Sequence, residues 1–314
     1  MNTGTITNTN NDVELHVNTA VNDGTGAQYF GGVVGQNSGT IESATNRADI
    51  IAEDANYVGG IVGYNTKDGK LQGMGNSNEG RVEGASYVGG VIGYNEADIG
   101  SDSEDTVEIK NSGTVVANDG GAGGIIGVNN GDVTNAKLIS EGVVTGTDSA
   151  TVETGTGGIF GINHGDITNS TLENNSGTIT GVDNTGGLIG INTGDIEYSS
   201  LKNTADITVK DDGSNIGGLI GKNTGVIEGG RKDINGTDAG YYKYQIYNNG
   251  TITVTGSGSN IGGLIGNNAD ETATSGKKGS LTAGYNTGAI NAKNSSNVGG
   301  IATTAARLIR YLIP

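Results

Sequence analysis

Cysteine and tryptophan are absent from this chain of 314 residues, proline occurs once, and basic residues are half as numerous as acidic ones, 17 against 34. Without cysteine, disulfide and thiolate chemistry are excluded. Sixty glycines with a single proline do not fit collagen, which needs abundant proline. The formal net charge of −17 argues against nucleic acid as a partner, because its backbone requires a basic face. A disordered chain and a repeat protein remain.

Long apolar runs are also missing. No stretch approaches the roughly 18 apolar residues that cross a bilayer, so we expect no membrane insertion. Residues 1–28 are polar and lack the basic and apolar regions of a signal peptide. Because repeat-like sequence follows Met1 at once, we expect this chain to be part of a longer exported protein whose signal peptide is not included.

A repeated motif decides against disorder. It consists of two glycines, two apolar residues, a glycine, any residue and an asparagine. Most copies are followed by two further elements, Gly-x-Ile/Val and Asn-x-Gly/Ala-x-Ile/Val. A repeat of about thirty residues therefore holds three short β-prone runs separated by turns. Eight copies begin at Gly31, Gly59, Gly89, Gly123, Gly157, Gly186, Gly217 and Gly262, and a ninth decays after Gly299.

Three short runs per repeat predict an all-β, parallel β-solenoid of about nine coils, right-handed by the usual preference of parallel crossovers. Since both positions after Gly-Gly are apolar, we expect one of them to pack at a corner or against another layer. We expect an irregular coil at 1–28 and the solenoid at 29–302, with insertions near 96–110 and 228–249. Residues 303–314 have helical apolar spacing and predict a short helical cap or a non-native tail.

The motif glycines and asparagines have structural explanations. Glycine permits positive φ and close backbone approach at corners. Asparagine tolerates the left-handed region, and stacked amides can hydrogen-bond along the axis as a ladder. The predicted ladder contains Asn37, Asn65, Asn95, Asn129, Asn163, Asn192, Asn223 and Asn268.

These repeats resemble the GLUG motif, a repeat named after its glycine–aliphatic–glycine core, most closely in GGLIGINTGDI at 186–196. The resemblance covers roughly residues 31–301. It implies a bacterial extracellular or cell-surface location and an adhesive or structural role. Filamentous haemagglutinin-like adhesins and the non-catalytic regions of some immunoglobulin A peptidases carry such repeats. The motif is architectural, so no catalytic residue is carried over.

The first candidate site lies in the insertion near 228–249, where four tyrosines fall close together with a basic residue. Aromatic rings beside polar groups can bind a sugar ring or a protein. The alternative is an extra hairpin in which the tyrosines form a small core, and we expect this more ordinary arrangement. The candidate residues are Arg231, Tyr241, Tyr242, Tyr244 and Tyr247.

The second candidate is a metal site formed by Asp132, Asp166 and Asp195, which occupy the same place in three consecutive repeats. In-register carboxylates repel one another unless they are solvated or bridged by a cation, so a Ca²⁺ ladder is one interpretation. A hydrated column that accepts turn N–H groups is the other, and we favour it. The acidic insertion near 96–110 is a further source of oxygen ligands, but it lacks the spacing of a calcium loop.

No catalytic motif is present, so we expect a non-enzymatic, adhesin-type region that binds a host or bacterial surface glycan or protein. The alternatives are a purely structural spacer and, less favoured, a β-helix enzyme acting on polysaccharide. Flat threonine arrays bind ice in some solenoids, but the run at 251–255 is broken by Asp206 and Lys210 in the preceding repeat. Open terminal strands would permit end-to-end association, which a C-terminal cap would oppose.

Overall fold

The computed structural model describes residues 1–17, 28–100, 106–228, 245–268, 279–305 and 307–309. Over these residues the chain is a parallel β-solenoid, as the repeats predict, with about eight turns rather than the predicted nine. Neighbouring strands come from successive coils and stack in register into four long sheets. None of these residues forms a helix long and apolar enough to cross a membrane.

From Ile92–Asn95 onward the chain visits the sheets in a fixed order, the third, the fourth, the first and then the second, whereas the earlier coils pass from the third directly to the first. The first sheet has ten strands. They are Thr5–Asn11, Thr40–Asn46, Lys70–Gln72, Met74–Asn78, Val107–Asn111, Ala136–Ser140, Thr171–Asn174, Ser200–Asn203, Ile246–Asn248 and Gly284–Asn286. The fourth has seven, Ile99–Gly100, Val133–Thr134, Ile167–Thr168, Ile196–Glu197, Val226–Glu228, Ser280–Thr282 and Arg307–Ile309.

The second sheet has sixteen strands because most coils cross it twice, before and after a bend. Before the bend lie Leu15–His16, Ile50–Gly59, Val82–Gly89, Val115–Ala117, Val144–Thr145, Thr178–Gly181, Asp206–Val209, Ile252–Val254 and Ile290–Asn291, of which Ile50–Gly59 and Val82–Gly89 continue through it. After it lie Phe30–Gly31, Ala122–Gly123, Thr156–Gly157, Thr185–Gly186, Ser214–Gly217, Ser259–Gly262 and Ser296–Gly299.

The third sheet carries the motif asparagines at the ends of eight of its nine strands. These are Val34–Asn37, Val62–Asn65, Ile92–Asn95, Ile126–Asn129, Phe160–Asn163, Ile189–Asn192, Ile220–Asn223, Ile265–Asn268 and Ala302–Ala305. Ile61 and Val62 are both fully buried, and the strand begins only at Val62. The chain therefore turns a corner between the two apolar motif positions, which is one of the two expected arrangements.

Two aliphatic cores run the length of the solenoid. The larger is enclosed by the first, third and fourth sheets, with Phe160 as its largest side chain. The smaller fills the bend of the second sheet and contains Val58, Val88 and Ile216. A fully buried aliphatic side chain contributes about 1.5–3 kcal/mol, and stacking gives each one neighbours in the coils above and below.

The motif glycines are required for close packing, whereas the prediction that they need positive φ is wrong. Among the described glycines, φ is positive only at Gly73, Gly75, Gly100 and Gly177, none of which belongs to the motif. A Cβ on Gly90 would overlap the carbonyl oxygen of the next coil and lie 2.5 Å from Asn111 Cγ. Since real Cβ atoms do not approach so closely, a side chain there must displace backbone or the amide.

Both ends are more regular than predicted. Thr5–Asn11 pairs in register with Thr40–Asn46, so residues 1–17 form an ordinary coil rather than an irregular one. The predicted helical cap is wrong where the chain is described: Ala302–Ala305 and Arg307–Ile309 are strands paired with the preceding coil. Coil-to-coil pairing outweighs the helical apolar spacing, since Leu308 falls in register with Leu281.

Candidate functional site

The predicted asparagine ladder is present and fully buried within the described coils. Each Nδ2 donates to the Oδ1 of the asparagine one coil further on, over 2.7–2.8 Å, and Asn2 extends the series by one coil at the start. None of these asparagines has positive φ, so the left-handed explanation is wrong and the amide hydrogen bonds explain the column. In sequence order the ladder runs through Asn2, Asn37, Asn65, Asn95, Asn129, Asn163, Asn192, Asn223 and Asn268.

A second buried ladder runs beside the first sheet, and the sequence analysis missed it. Its links join Asn11, Asn46, Asn78 and Asn111 at 2.7–2.8 Å, and then Asn203, Asn248 and Asn286 at 2.8–2.9 Å. The asparagine that opens each Asn-x-Gly/Ala-x-Ile/Val element was the available signal. The second glycine of Gly-Gly packs against these amides, as Gly90 does on Asn111, which links the two motifs physically.

The aspartate column lies in register, as the sequence predicts. Oδ1 of Asp132 accepts the backbone N–H of Asp166 at 2.9 Å, and Oδ1 of Asp166 accepts that of Asp195 at 2.8 Å. Asp98, from the acidic insertion, starts the column by accepting the N–H of Asp132, and Asp195 ends it at Val226. The carboxylates therefore act as acceptors for turn N–H groups.

A metal role finds no geometric support in the part of the chain that the structure describes. No group of three or more His, Cys, Asp or Glu side chains there is arranged to hold a metal ion. Of the remaining acidic insertion, Glu108 lies 3.7 Å from Lys137 in an ion pair between coils. Residues 101–105, with Asp102, Glu104 and Asp105, lie outside the described residues.

Most of the predicted tyrosine site also lies outside the described residues. This applies to Arg231, Tyr241, Tyr242 and Tyr244. Tyr247 is in a strand of the first sheet and stacks on Tyr285 of the next coil, with ring centroids 5.2 Å apart and an interplanar angle of 10°. Tyr285 is half exposed, so this pair is a small aromatic surface.

A larger aromatic surface, which the sequence analysis missed, lies at the other end of the chain. We define the tyrosine cluster as Tyr29, Tyr57, Tyr64, Tyr87 and Tyr94. Tyr29 stacks on Tyr64 at 4.8 Å and 23°, and Tyr57 on Tyr87 at 5.3 Å and 20°. Tyr94 meets Tyr57 and Tyr87 edge-on, at 5.3 and 6.0 Å. All five side chains are partly buried and partly exposed.

The cluster forms because two columns of the solenoid meet outside the core. Three tyrosines stand directly before a residue of the second sheet that pairs with its counterpart in the next coil; they are Tyr29, Tyr57 and Tyr87. The other two, Tyr64 and Tyr94, pair with each other on the outer face of the third sheet. The sequence signal is Tyr two residues before Gly-Gly in the first three copies, and Tyr before the motif asparagine in the second and third.

Tyr57 and Tyr87 adopt the left-handed region, with φ of 58° and 54°. Bulky residues seldom do so, and the conformation costs about 1–2 kcal/mol relative to the right-handed one. In the same column of later coils, Gly121 and Gly155 do not have positive φ, whereas the asparagines that follow adopt the left-handed region, which asparagine tolerates better. Those asparagines, Asn184, Asn215, Asn260 and Asn297, form an outer ladder with links of 2.9–3.2 Å.

Hydrogen bonds fix two of the cluster hydroxyls. Tyr64 donates to Glu96 Oε2 at 2.7 Å, and Asn130 Nδ2 donates to the Tyr94 hydroxyl at 2.8 Å. Burial, and then the neighbouring tyrosines, raise the pKa of Tyr57, while burial followed by Tyr94 and Glu153 raises the pKa of Tyr87. Burial and the hydrogen bond to Glu96 raise the pKa of Tyr64 as well, so these hydroxyls stay protonated at neutral pH.

Beyond the cluster the third-sheet column becomes a buried apolar strip. Tyr94 pairs with Val128, and the column continues through Ile162 and Ile191, each at most 4% exposed. Gly155 packs against Ile191, so the chain segment that contains Gly155 covers the apolar strip. The exposed surface of the tyrosine cluster is therefore confined to the first coils.

Threonines also align on the outer face of the second sheet. Thr145, Thr180, Thr208 and Thr253 pair in four successive coils, and the sequence analysis had recognised only the last two positions. Asp206 pairs with Thr178 in the adjacent column and interrupts it with a charge, as expected. The threonine face is thus one column wide.

No family model matches the chain, and no curated protein or solved structure is significantly similar to it.

Proposed function

We propose that this chain is a non-enzymatic, adhesin-type repeat region of a bacterial surface or secreted protein, and that it presents the tyrosine cluster to a binding partner. The observation that carries the proposal is the cluster itself: five tyrosines, partly exposed, held by two columns of a rigid scaffold. The GLUG resemblance supports the proposed class and location.

The energetics favour a contact surface. Tyrosine combines large apolar area with a hydroxyl, and interfaces are enriched in it. Rings already packed against each other lose little side-chain entropy on binding, which pre-organises the surface. Burial and hydrogen bonding to Glu96 and Asn130 hold the Tyr64 and Tyr94 hydroxyls in place.

The strained backbone points the same way. Tyr57 and Tyr87 have left-handed φ in a column where the later residues with left-handed φ are asparagines, so tyrosine is an unfavourable choice for the fold alone. Strain of this kind concentrates at functional sites, because selection for binding offsets its cost. A purely structural spacer, the alternative, would gain stability from asparagine at both positions.

A binding screen against host and bacterial surface proteins and glycans tests the proposal. The chain is compared with a Tyr57→Asn, Tyr87→Asn variant, which substitutes the residue that the solenoid itself uses in that column. Tyr285→Asn, from the separate aromatic pair, is the matched control. Saturable binding that the double variant loses and the control keeps supports the cluster as the site. A folded chain that binds nothing contradicts the proposal and favours the spacer, and turnover of a polysaccharide would favour the enzyme.

A further inference from the structure

Two carboxylates lie beside the tyrosine cluster. Glu96 accepts the Tyr64 hydroxyl through Oε2, which leaves its second oxygen for another donor. The charge of Glu153 is one of the causes that raise the pKa of Tyr87, after burial and Tyr94. The chain as a whole carries a formal charge of −17. The carboxylates at the edge of the cluster and the electrostatic field of the whole chain are therefore both negative.

We propose that the cluster docks a positively charged polypeptide segment, with an arginine or lysine side chain placed against Glu96 and the tyrosine hydroxyls. This inference rests on the proposed function and names the chemistry of the partner. Hydroxyl oxygens and carboxylates are both acceptors, whereas arginine and lysine are donors only, so the two surfaces are complementary.

Charge excludes several other occupants. A second copy of the chain would bring another −17 to the same surface, and like charges suppress association. Sulfated or carboxylated glycans meet the same repulsion. A basic segment is instead attracted over distance, which accelerates encounter at low ionic strength.

The ring geometry disfavours a neutral sugar. Stacking a pyranose requires an open aromatic face, yet Tyr29 and Tyr64 are stacked face to face, and so are Tyr57 and Tyr87. Tyr94 is packed edge-on between neighbours. Hydrogen bonding to hydroxyls and pairing with Glu96 need no open face, and both suit a cationic side chain.

The test measures binding of three probes to the whole chain: an alternating arginine–glycine peptide, a glutamate–glycine peptide of equal length and a neutral glucan. Because an acidic protein attracts any polycation, the decisive comparison keeps the charge constant. Tyr57→Asn with Tyr87→Asn leaves the net charge unchanged, as does the control Tyr285→Asn. Glu96→Gln retains an acceptor for Tyr64, and Glu197→Gln on the fourth sheet matches its change in charge.

We expect the arginine peptide to bind, and its Kd to rise about tenfold or more in the double tyrosine variant, as for loss of interface anchors. Glu96→Gln should raise the Kd of the arginine peptide roughly threefold to tenfold, whereas Glu197→Gln should leave it unchanged. The reason is that a partly buried ion pair contributes more to binding than a charge far from the contact. Equal peptide binding by the double variant would overturn the inference, because attraction would then be non-specific.

Two outcomes separate this inference from the proposed function. Cluster-dependent binding of the glucan, with none of the peptide, would refute the cationic partner and leave the contact surface standing. If the partner screen also shows no dependence on Tyr57 and Tyr87, both proposals are wrong. Circular dichroism and thermal unfolding of every variant confirm that the solenoid is intact in each comparison.

Discussion

Ser140 and Asn174 are register neighbours in the second asparagine ladder, and both lie where its amide hydrogen bonds are interrupted, between Asn111 and Asn203. Ser140 Oγ and Asn174 Oδ1 are both buried without a hydrogen-bond partner. Serine is too short to reach the amide of the next coil, whereas every other link of this ladder between Asn11 and Asn111 measures 2.7–2.8 Å.

We expect Ser140→Asn to stabilise the fold by about 1–2 kcal/mol, because its amide can donate to Asn174 Oδ1, which is buried without a partner. Gly124 lies beside Ser140, and because it has no side chain it leaves room for the asparagine that other coils have at this position. Urea unfolding measures the change. Ser140→Ala is the control and should not stabilise by the same amount; an unchanged or lower midpoint for Ser140→Asn would contradict the prediction.

Removing one amide from the intact ladder should have the opposite effect. Asn129→Ala leaves Asn163 Oδ1 without a partner in the buried interior and removes one of the two hydrogen bonds of Asn95 Nδ2, which still donates to the Ala97 carbonyl. At about 1–3 kcal/mol for an unsatisfied buried group, we expect a loss of roughly 1–3 kcal/mol in the free energy of unfolding. Asn56→Ala, at an exposed strand position, should change stability by less than about 0.5 kcal/mol. Similar losses in both variants would show that the ladder contributes little.

The packing role of the motif glycines can be tested with a matched pair. Gly90→Ala forces a methyl group into the neighbouring backbone and Asn111, and we expect a loss of about 1–3 kcal/mol or failure to fold. Gly300 occupies the equivalent position in the last copy, where a Cβ would meet nothing within 4 Å. Gly300→Ala should therefore be tolerated, and thermal unfolding of the two variants should separate clearly.

Alkaline pH should weaken the solenoid through the tyrosine cluster. The pKa values of Tyr57 and Tyr87 are raised in the folded chain, chiefly by burial, while an unfolded tyrosine ionises near its ordinary value of about 10. The folded state thus binds more protons above pH about 10, and stability falls as pH rises through the folded pKa values. Unfolding midpoints measured across this range should decline more steeply for the chain than for Tyr57→Asn with Tyr87→Asn.

The sequence predicts the solenoid, its corner and the first asparagine ladder because these features repeat in every coil, and periodicity reveals them. The sequence does not predict a surface in which the residue type at one position changes from coil to coil along the axis. The column of Tyr57 holds tyrosine, then glycine, then asparagine, so no single repeat identifies it as one surface. Register had to be known before Tyr57 and Tyr94 could be placed side by side.

The C-terminal error has a similar cause. Residues 303–314 have helical spacing when considered alone, but the preceding coil offers open strand edges, and pairing with them satisfies the backbone of Ala302–Ala305. The aspartate column shows the converse: the sequence predicts the register of Asp132 and Asp166 and favours carboxylates that accept turn N–H groups, and the structure identifies the N–H as that of the aspartate in the next coil.

The buried amides also give the rod a direction. In each link of the first ladder the donor lies on the earlier coil, so the side-chain dipoles of Asn2 through Asn268 add head to tail along the axis. The outer ladder of Asn184 and Asn215 runs in the opposite sense. A coil added to either end can continue these series in one orientation only. End-to-end assembly, if this chain does it, must therefore join unlike ends, and would yield a filament whose two tips differ.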